Sequence, residues 1–357
     1  MEEKLIYGIQ QIGVGVDDAE KAFEWYATRL GSDVPVFDDN NTATYMAPYM
    51  GGAPHEKRAI LAMNLEGGSG YEIWQYLDRT PVKPESKIQI GDLGINCAFI
   101  KSRDIEASFQ RIKNLKDKVL TEIITEPDNK RSFYLEDPYG NVLKIKESDV
   151  WYANNGKDVG GIYGCSIGVS DIESSLALYS DILGYDQVVY DETSVFKDFD
   201  GLPNGNSKFR RVLLTHKNNR IGGLSRLFGP SELELIQCLD KQPKKIFENR
   251  YWGDIGFIHL CFDIRNMKAL IQECEDKGFP FKVISPDSFD MGDANGHWGY
   301  IEDCDGTLIE FVETHKIPVI KPIGLNLNLN KRDPLQPVPN WMIKAMQLKR
   351  VKNFRNN

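Results

Sequence analysis

Two residues of this chain sit where side chains of their type are costly. Glu310 lies in the run Leu308-Ile-Glu-Phe-Val312, apolar on both faces, and His259 lies in Phe257-Ile-His-Leu-Cys-Phe262, apolar throughout. A carboxylate buried in such a run must be paired, hydrogen-bonded or bound to a metal. An imidazole there is either a satisfied core residue or a ligand. Glu234, in Glu232-Leu-Glu-Leu-Ile236, alternates with apolar neighbours as a half-exposed strand would. His297 and Tyr300 precede Glu310 at the start of another strand. They read either as an acid–base pair at a cleft mouth or as an ordinary loop His and strand Tyr.

The elements that must position these groups repeat. Gln11-Ile-Gly-Val-Gly-Val-Asp-Asp18 opens the first half, and Gly164-Cys-Ser-Ile-Gly-Val-Ser-Asp171 opens the second. Asp18 and Asp171, Tyr26 and Tyr179, and Gly31 and Gly184 all share one offset of 153 residues. A long fixed period of this kind marks a duplicated domain. Each half reads as two strand–helix–strands units. Strands are expected at 9–16, 42–48, 58–65, 70–76, 93–100, 120–126, 131–136 and 141–147. The second half should repeat them at 162–169, 209–214, 220–227, 233–239, 255–264, 299–302 and 307–313. Asp17 with Glu20, and Ser170 with Glu173, have capping-box spacing for the first helix of each half. The expected boundaries are 1–149, a linker at 150–160, 161–315, and a tail at 316–357. Residues 1–149 and 161–315 should then superpose, each with its own sheets.

Bulk properties narrow the function. The 357 residues suit two domains, and 41% hydrophobic with 27% charged residues is a globular balance. A net charge of −9 disfavours a nucleic-acid surface. No apolar run approaches the length of a membrane span. Met-Glu-Glu-Lys lacks the character of a signal peptide, and the six cysteines are scattered without a C-x-x-C pair. Buried free thiols in a reducing cytoplasm are the expectation. The tail is rich in Pro and Asn and then turns basic. Trp341, Met342, Ala345, Met346 and Leu348 offer an apolar helix face. That face should dock on the body, either beside the second-half cleft or across a homodimer interface.

The strand-Asp-helix opening with Tyr-x3-Leu-Gly resembles the vicinal oxygen chelate superfamily. So do Asp-Pro-Tyr-Gly-Asn at 137–141 and its partner Asp303-Cys-Asp-Gly306. That superfamily includes glyoxalase I, bleomycin-resistance proteins, an epimerase and extradiol dioxygenases. The resemblance covers residues 7–315. It implies an α+β fold of two tandem domains, each a pair of βαβββ units forming a curved-sheet cleft. Metal ligands of the family fall on Gln11, Glu72, Asn96 and Lys144 in the first half. In the second half they fall on Gly164, Glu234, His259 and Glu310. Lys144 is a cation where a carboxylate belongs, and its alternating strand reads as a solvated face, so the first half is expected to be structural. Glu234, His259 and Glu310 are the expected ligands of a divalent ion: Zn, Ni, Mn or Fe. Gly164 offers no side chain, so the two-His, one-carboxylate triad of ring-cleaving enzymes is incomplete. The expected function is metal-dependent isomerase, epimerase or lyase chemistry on a small oxygenated metabolite, with Glu310 or His297 moving the proton. The alternatives are a ring-cleaving dioxygenase with an altered ligand set and a non-catalytic small-molecule binder.

Overall fold

The computed structural model describes residues 3–291, 294–320 and 325–352. Met1 and Glu2 of the N-terminal stretch, and the last five residues of the tail, lie outside them. The fold is α+β, with two tandem glyoxalase-type domains containing four strand–helix–strands units. The opening helices, Ala19–Leu30 and Ile172–Tyr179, bury Phe23, Tyr26 and Leu30 in the first and Ile172, Leu178 and Tyr179 in the second. Their N-caps are Asp18 and Asp171, one residue later than the capping-box spacing suggests. Each aspartate accepts the backbone N–H three residues on, and so satisfies one of the helix's free donors.

The units do not pair within their own half. One sheet runs, in spatial order, Val283–Ile284, Ala294–Glu302, Leu308–Ile320, Gly256–Arg265, Leu5–Val16, Gly70–Tyr76, Glu56–Met63, Val34–Thr42. It joins the first unit of the chain to the last. The other runs Gln187–Ser194, Phe209–Thr215, Glu232–Cys238, Val159–Gly168, Gly94–Ser102, Val142–Glu147, Arg131–Glu136, Lys118–Val119, and joins the two middle units. The seams are antiparallel: Leu5–Val16 against Gly256–Arg265, and Val159–Gly168 against Gly94–Ser102. Each sheet therefore spans both halves. The expectation that each half would own its sheets fails.

The motifs that carried the resemblance hold the two units of each half together instead. Tyr26, on the first helix, donates 2.6 Å to Asp137, and Tyr179 donates 2.8 Å to Asp303. Each aspartate also holds its hairpin turn, accepting from the backbone of Tyr139 and Asn141 or of Asp305 and Thr307. Helix and closing hairpin of one half are thus pinned by a buried, satisfied acceptor.

Other local differences have local causes. Residues 44–49 form a 3₁₀ turn rather than a strand, because Pro48 cannot donate to a ladder. The strand before it runs Val34–Thr42. Residues 220–227 hold two glycines at positive φ and a short helix, Ser225–Phe228, rather than a strand. The tail docks on the body. Val338 N–H donates to Gly223 at 2.8 Å, and Lys349 donates to the Val36 carbonyl at 3.1 Å. Val338, Ile343 and Met346 are buried with Tyr7, Leu61 and Leu227. Its helix spans only Asn340–Ala345 and then tightens to 3₁₀, so the stripe rotates. Trp341 and Leu348, expected on the docked face, are 59% and 75% exposed.

Candidate metal centre

The seam between Leu5–Val16 and Gly256–Arg265 builds the site. Gly13 pairs with His259 on one side and with Glu72 on the other. His259 fits only because residue 13 is glycine: a Cβ there would lie 2.2 Å from the imidazole. From the parallel strand on the far side of Gly256–Arg265 comes Glu310, paired with Cys261. His259 Nε2 stands 3.2 Å from Glu72 and 3.1 Å from Glu310. Gln11 completes the ring, its amide 3.3 Å from Glu72 and 3.4 Å from Glu310. Ligand atoms of Glu72, His259 and Glu310, one from each, lie within 4.8 Å of one another.

Electrostatics are those of a site that wants a cation. Burial alone would lower the His259 pKa, but the Glu310 and Glu72 carboxylates outweigh it and hold the imidazole at about 9. Burial would raise Glu72, and the His259 imidazolium keeps it below its usual value. In this state the His259 imidazolium is paired with two carboxylates. Gln11 Oε1 is buried without a hydrogen-bond partner. Two carboxylates and an imidazole form a mixed O/N set suited to Zn, Ni, Mn or Fe, with the Gln11 amide nitrogen donating to both carboxylates. The residues present fit a divalent ion.

Three of the expected site residues are here: His259, Glu310 and Tyr300. The Tyr300 ring stands edge-on to His259, with centroids 5.5 Å apart, and its residue pairs with Glu310. Glu234 is elsewhere. It lies in the other sheet, bonded by Arg211 at 2.7 Å and 3.8 Å from Lys144. Glu72 takes the place expected for it. His297 is also absent from the cluster. It alternates with Trp298 and Tyr300, which line the cavity, so it faces the opposite side, 3.8 Å from Asp287.

The equivalent cleft of the second sheet is closed by charge. Lys144, expected to be solvated, is fully buried and donates 2.8 Å to Glu126. Lys146 and Arg211 are buried beside it, and Arg211 also binds Asp198. Burial would raise Glu126, but Lys144 and Lys146 bring it to about 2. The ammonium of Lys144 lies among the acids that line this cleft. Gly164 cannot carry a ligand, because a Cβ would lie 2.2 Å from the Glu232 carbonyl.

A cavity of about 150 Å³ opens from Gln11, Glu72 and Glu310. Trp74, Trp252, Trp298 and Tyr300 wall it near the ligands. A register shift between Ile9 and Gln11 turns both Gln10 and Gln11 toward it. Gln10 and Thr314 each donate 2.8 Å to the buried carboxyl of Asp263, which burial pushes up to about 7. Sequence reading placed Gln11 and Glu72 at family ligand positions but in a half expected to be structural. Gly13 and Asp263 carried no signal there.

Family models of the glyoxalase, bleomycin-resistance protein and dioxygenase superfamily match residues 8–145 and 165–293. The chain belongs to that superfamily. The fold is similar to that of a Bacillus subtilis protein named as a candidate dioxygenase, at TM-score 0.55 and 13% identity over 87% of this chain and 86% of that one. Glyoxalase I from Zea mays is also similar, at TM-score 0.52 and 12% identity over 97% of this chain and 96% of that one. At such identities this is likeness of fold. No curated protein matches the chain by sequence. Within the superfamily fold, this chain keeps ligand-type side chains in the cleft made by its first and last units and fills the other with ion pairs.

Proposed function

We propose that this protein is a divalent-metal-dependent enzyme of isomerase, epimerase or lyase type, acting on a small metabolite with adjacent oxygens. The observation that carries the reading is the convergence of Gln11, Glu72, His259 and Glu310 from two distant units at the inner end of one cavity. When bound, the ion supplies a Lewis acid that favours negative charge on the substrate oxygens. Glu310 lines the cavity and is the group placed to move a proton at a carbon beside those oxygens. Tyr300 packs against His259 and fixes the imidazole plane. Trp252 stacks over the same ring, centroids 6.0 Å apart, and keeps water from that face. The partner is a small molecule, and nothing in the charge balance favours nucleic acid.

Metal analysis of protein purified without chelator tests this. About one divalent ion per chain is expected, lost in Glu72→Gln and Glu310→Gln and kept in Glu234→Gln. Loss of the ion in Glu234→Gln with retention in Glu72→Gln would restore the ligand set expected from sequence. Protein that binds no divalent ion under titration refutes the reading.

A further inference from the structure

The cavity carries information about what enters it. Beyond the ligands part of its wall is apolar, with Leu61, Met63, Leu227, Phe228, Ile317 and Met346, and part is polar, with Asp39, Asn41 and Thr42. Met346 comes from the docked tail, so the C-terminal segment forms part of the wall. A cavity of about 150 Å³ has room for one benzene-sized ring. Adjacent oxygens at the ligand end and a ring-sized body at the other account for most of the space.

One lining residue is not explained by either end. Lys57 sits on Glu56–Met63, in alternation with Leu61 and Met63, and so on the cavity face. Among the described residues it is the cation that lines the cavity. Its neighbours are otherwise committed. Asn41, opposite it in the ladder, donates to Asp39, and Arg58 on the other face pairs with Asp38. The Lys57 ammonium makes no ion pair or hydrogen bond among the described residues, although Glu72, Asp39 and Glu310 attract it from a distance. Burial, the larger effect, holds it below the usual lysine range. A half-buried ammonium without a bonded partner, facing a ligand cavity, is an unfilled anion contact.

We propose that the substrate is a small carboxylic acid with a single-ring or branched apolar body, its carboxylate read by Lys57 beside the metal end. This rests on the metal reading above. Lys57 supplies specificity rather than proton transfer. The tail, through Met346, helps to set the length of the apolar body.

The test uses the full chain loaded with Zn(II) and follows quenching of tryptophan fluorescence, since Trp74, Trp252 and Trp298 line the cavity. The probes are benzoylformate, its neutral methyl ester, and pyruvate, which keeps the oxygens and lacks the ring. Benzoylformate should bind about ten- to a hundredfold more tightly than the ester, the range of a charged hydrogen bond. Lys57→Met should lose that preference, and Lys57→Arg should keep it. Pyruvate should bind more weakly than benzoylformate. Equal binding of acid and ester, an unchanged preference in Lys57→Met, pyruvate binding as tightly as benzoylformate, or no binding of benzoylformate each overturns the proposal. Zn(II) titration of the same samples separates the two claims. A wild type that takes no ion refutes the metal reading, while the acid-to-ester ratio still judges Lys57. Thermal melts of the variants confirm folded protein.

Discussion

Metal binding at this site should expel a proton, and the structure sets how strongly that depends on pH. Without an ion, His259 is held as imidazolium to about pH 9 by Glu310 and Glu72 acting against burial. A ligand imidazole must be neutral, so below that pH each ion bound releases one proton. The sign follows: apparent affinity rises with pH until the imidazolium titrates. Between about pH 6 and pH 8 the imidazolium of this site should tighten apparent affinity by about a hundredfold. An ordinary imidazole, half-titrated at about 6.5, would give about fourfold over that range. Calorimetric titration with Zn(II), repeated in buffers of different ionisation heat, reads both quantities. We expect about one proton released per ion at neutral pH. A change under about tenfold, with little proton release, would mean that the ion does not displace the His259 proton. Glu72→Gln should flatten the pH dependence as well as weaken the ion, because it removes one of the carboxylates that hold that proton.

Asp263 gives a second pH effect, on stability. Burial raises its carboxyl from 3.8 to about 7, so across that window the folded chain keeps a proton that the unfolded chain has released. Stability should therefore fall as pH rises from about 4 to 7, by up to about 4 kcal/mol, and stay level above. Denaturant melts of Asp263→Asn should lose most of that slope; a slope equal to wild type would contradict it. In the filled cleft, Lys144→Met leaves Glu126 and Glu234 buried without that cation and should cost about 3–5 kcal/mol. It should not alter Zn(II) affinity at the other cleft, and a lost metal site would show that the two clefts are not independent. Ile343→Ala, in the docked tail, should cost about 2–5 kcal/mol in thermal melts, and truncation after Pro334 should cost more. If the truncated chain melts like the full one, the tail contributes nothing to the core.

Much of the fold could be read from the chain alone. The shared offset of Asp18/Asp171, Tyr26/Tyr179 and Gly31/Gly184 fixed a duplication, because a repeat in sequence is a repeat in local structure. Helix stripes and strand alternation located most elements, since those periods depend only on neighbours along the chain. The turn and 3₁₀ segments escaped, because 42–48 and 220–227 look apolar enough for strands until Pro48 and the glycine conformations are taken into account. The tail's stripe was misplaced where the helix tightened, a change that packing imposes. The costly positions of Glu310 and His259 were legible, because a charge in an apolar run must find a partner wherever the chain goes. Which partner it finds was not. Duplicated units present interchangeable edges, and the choice between pairing within a half and pairing across halves is made by long-range packing that leaves no local pattern. That choice brought Gln11 and Glu72 to His259 and Glu310, left Glu234 with Lys144 and Arg211, and so turned two scattered sets of ligand-type side chains into one converging cluster and one ion-paired core.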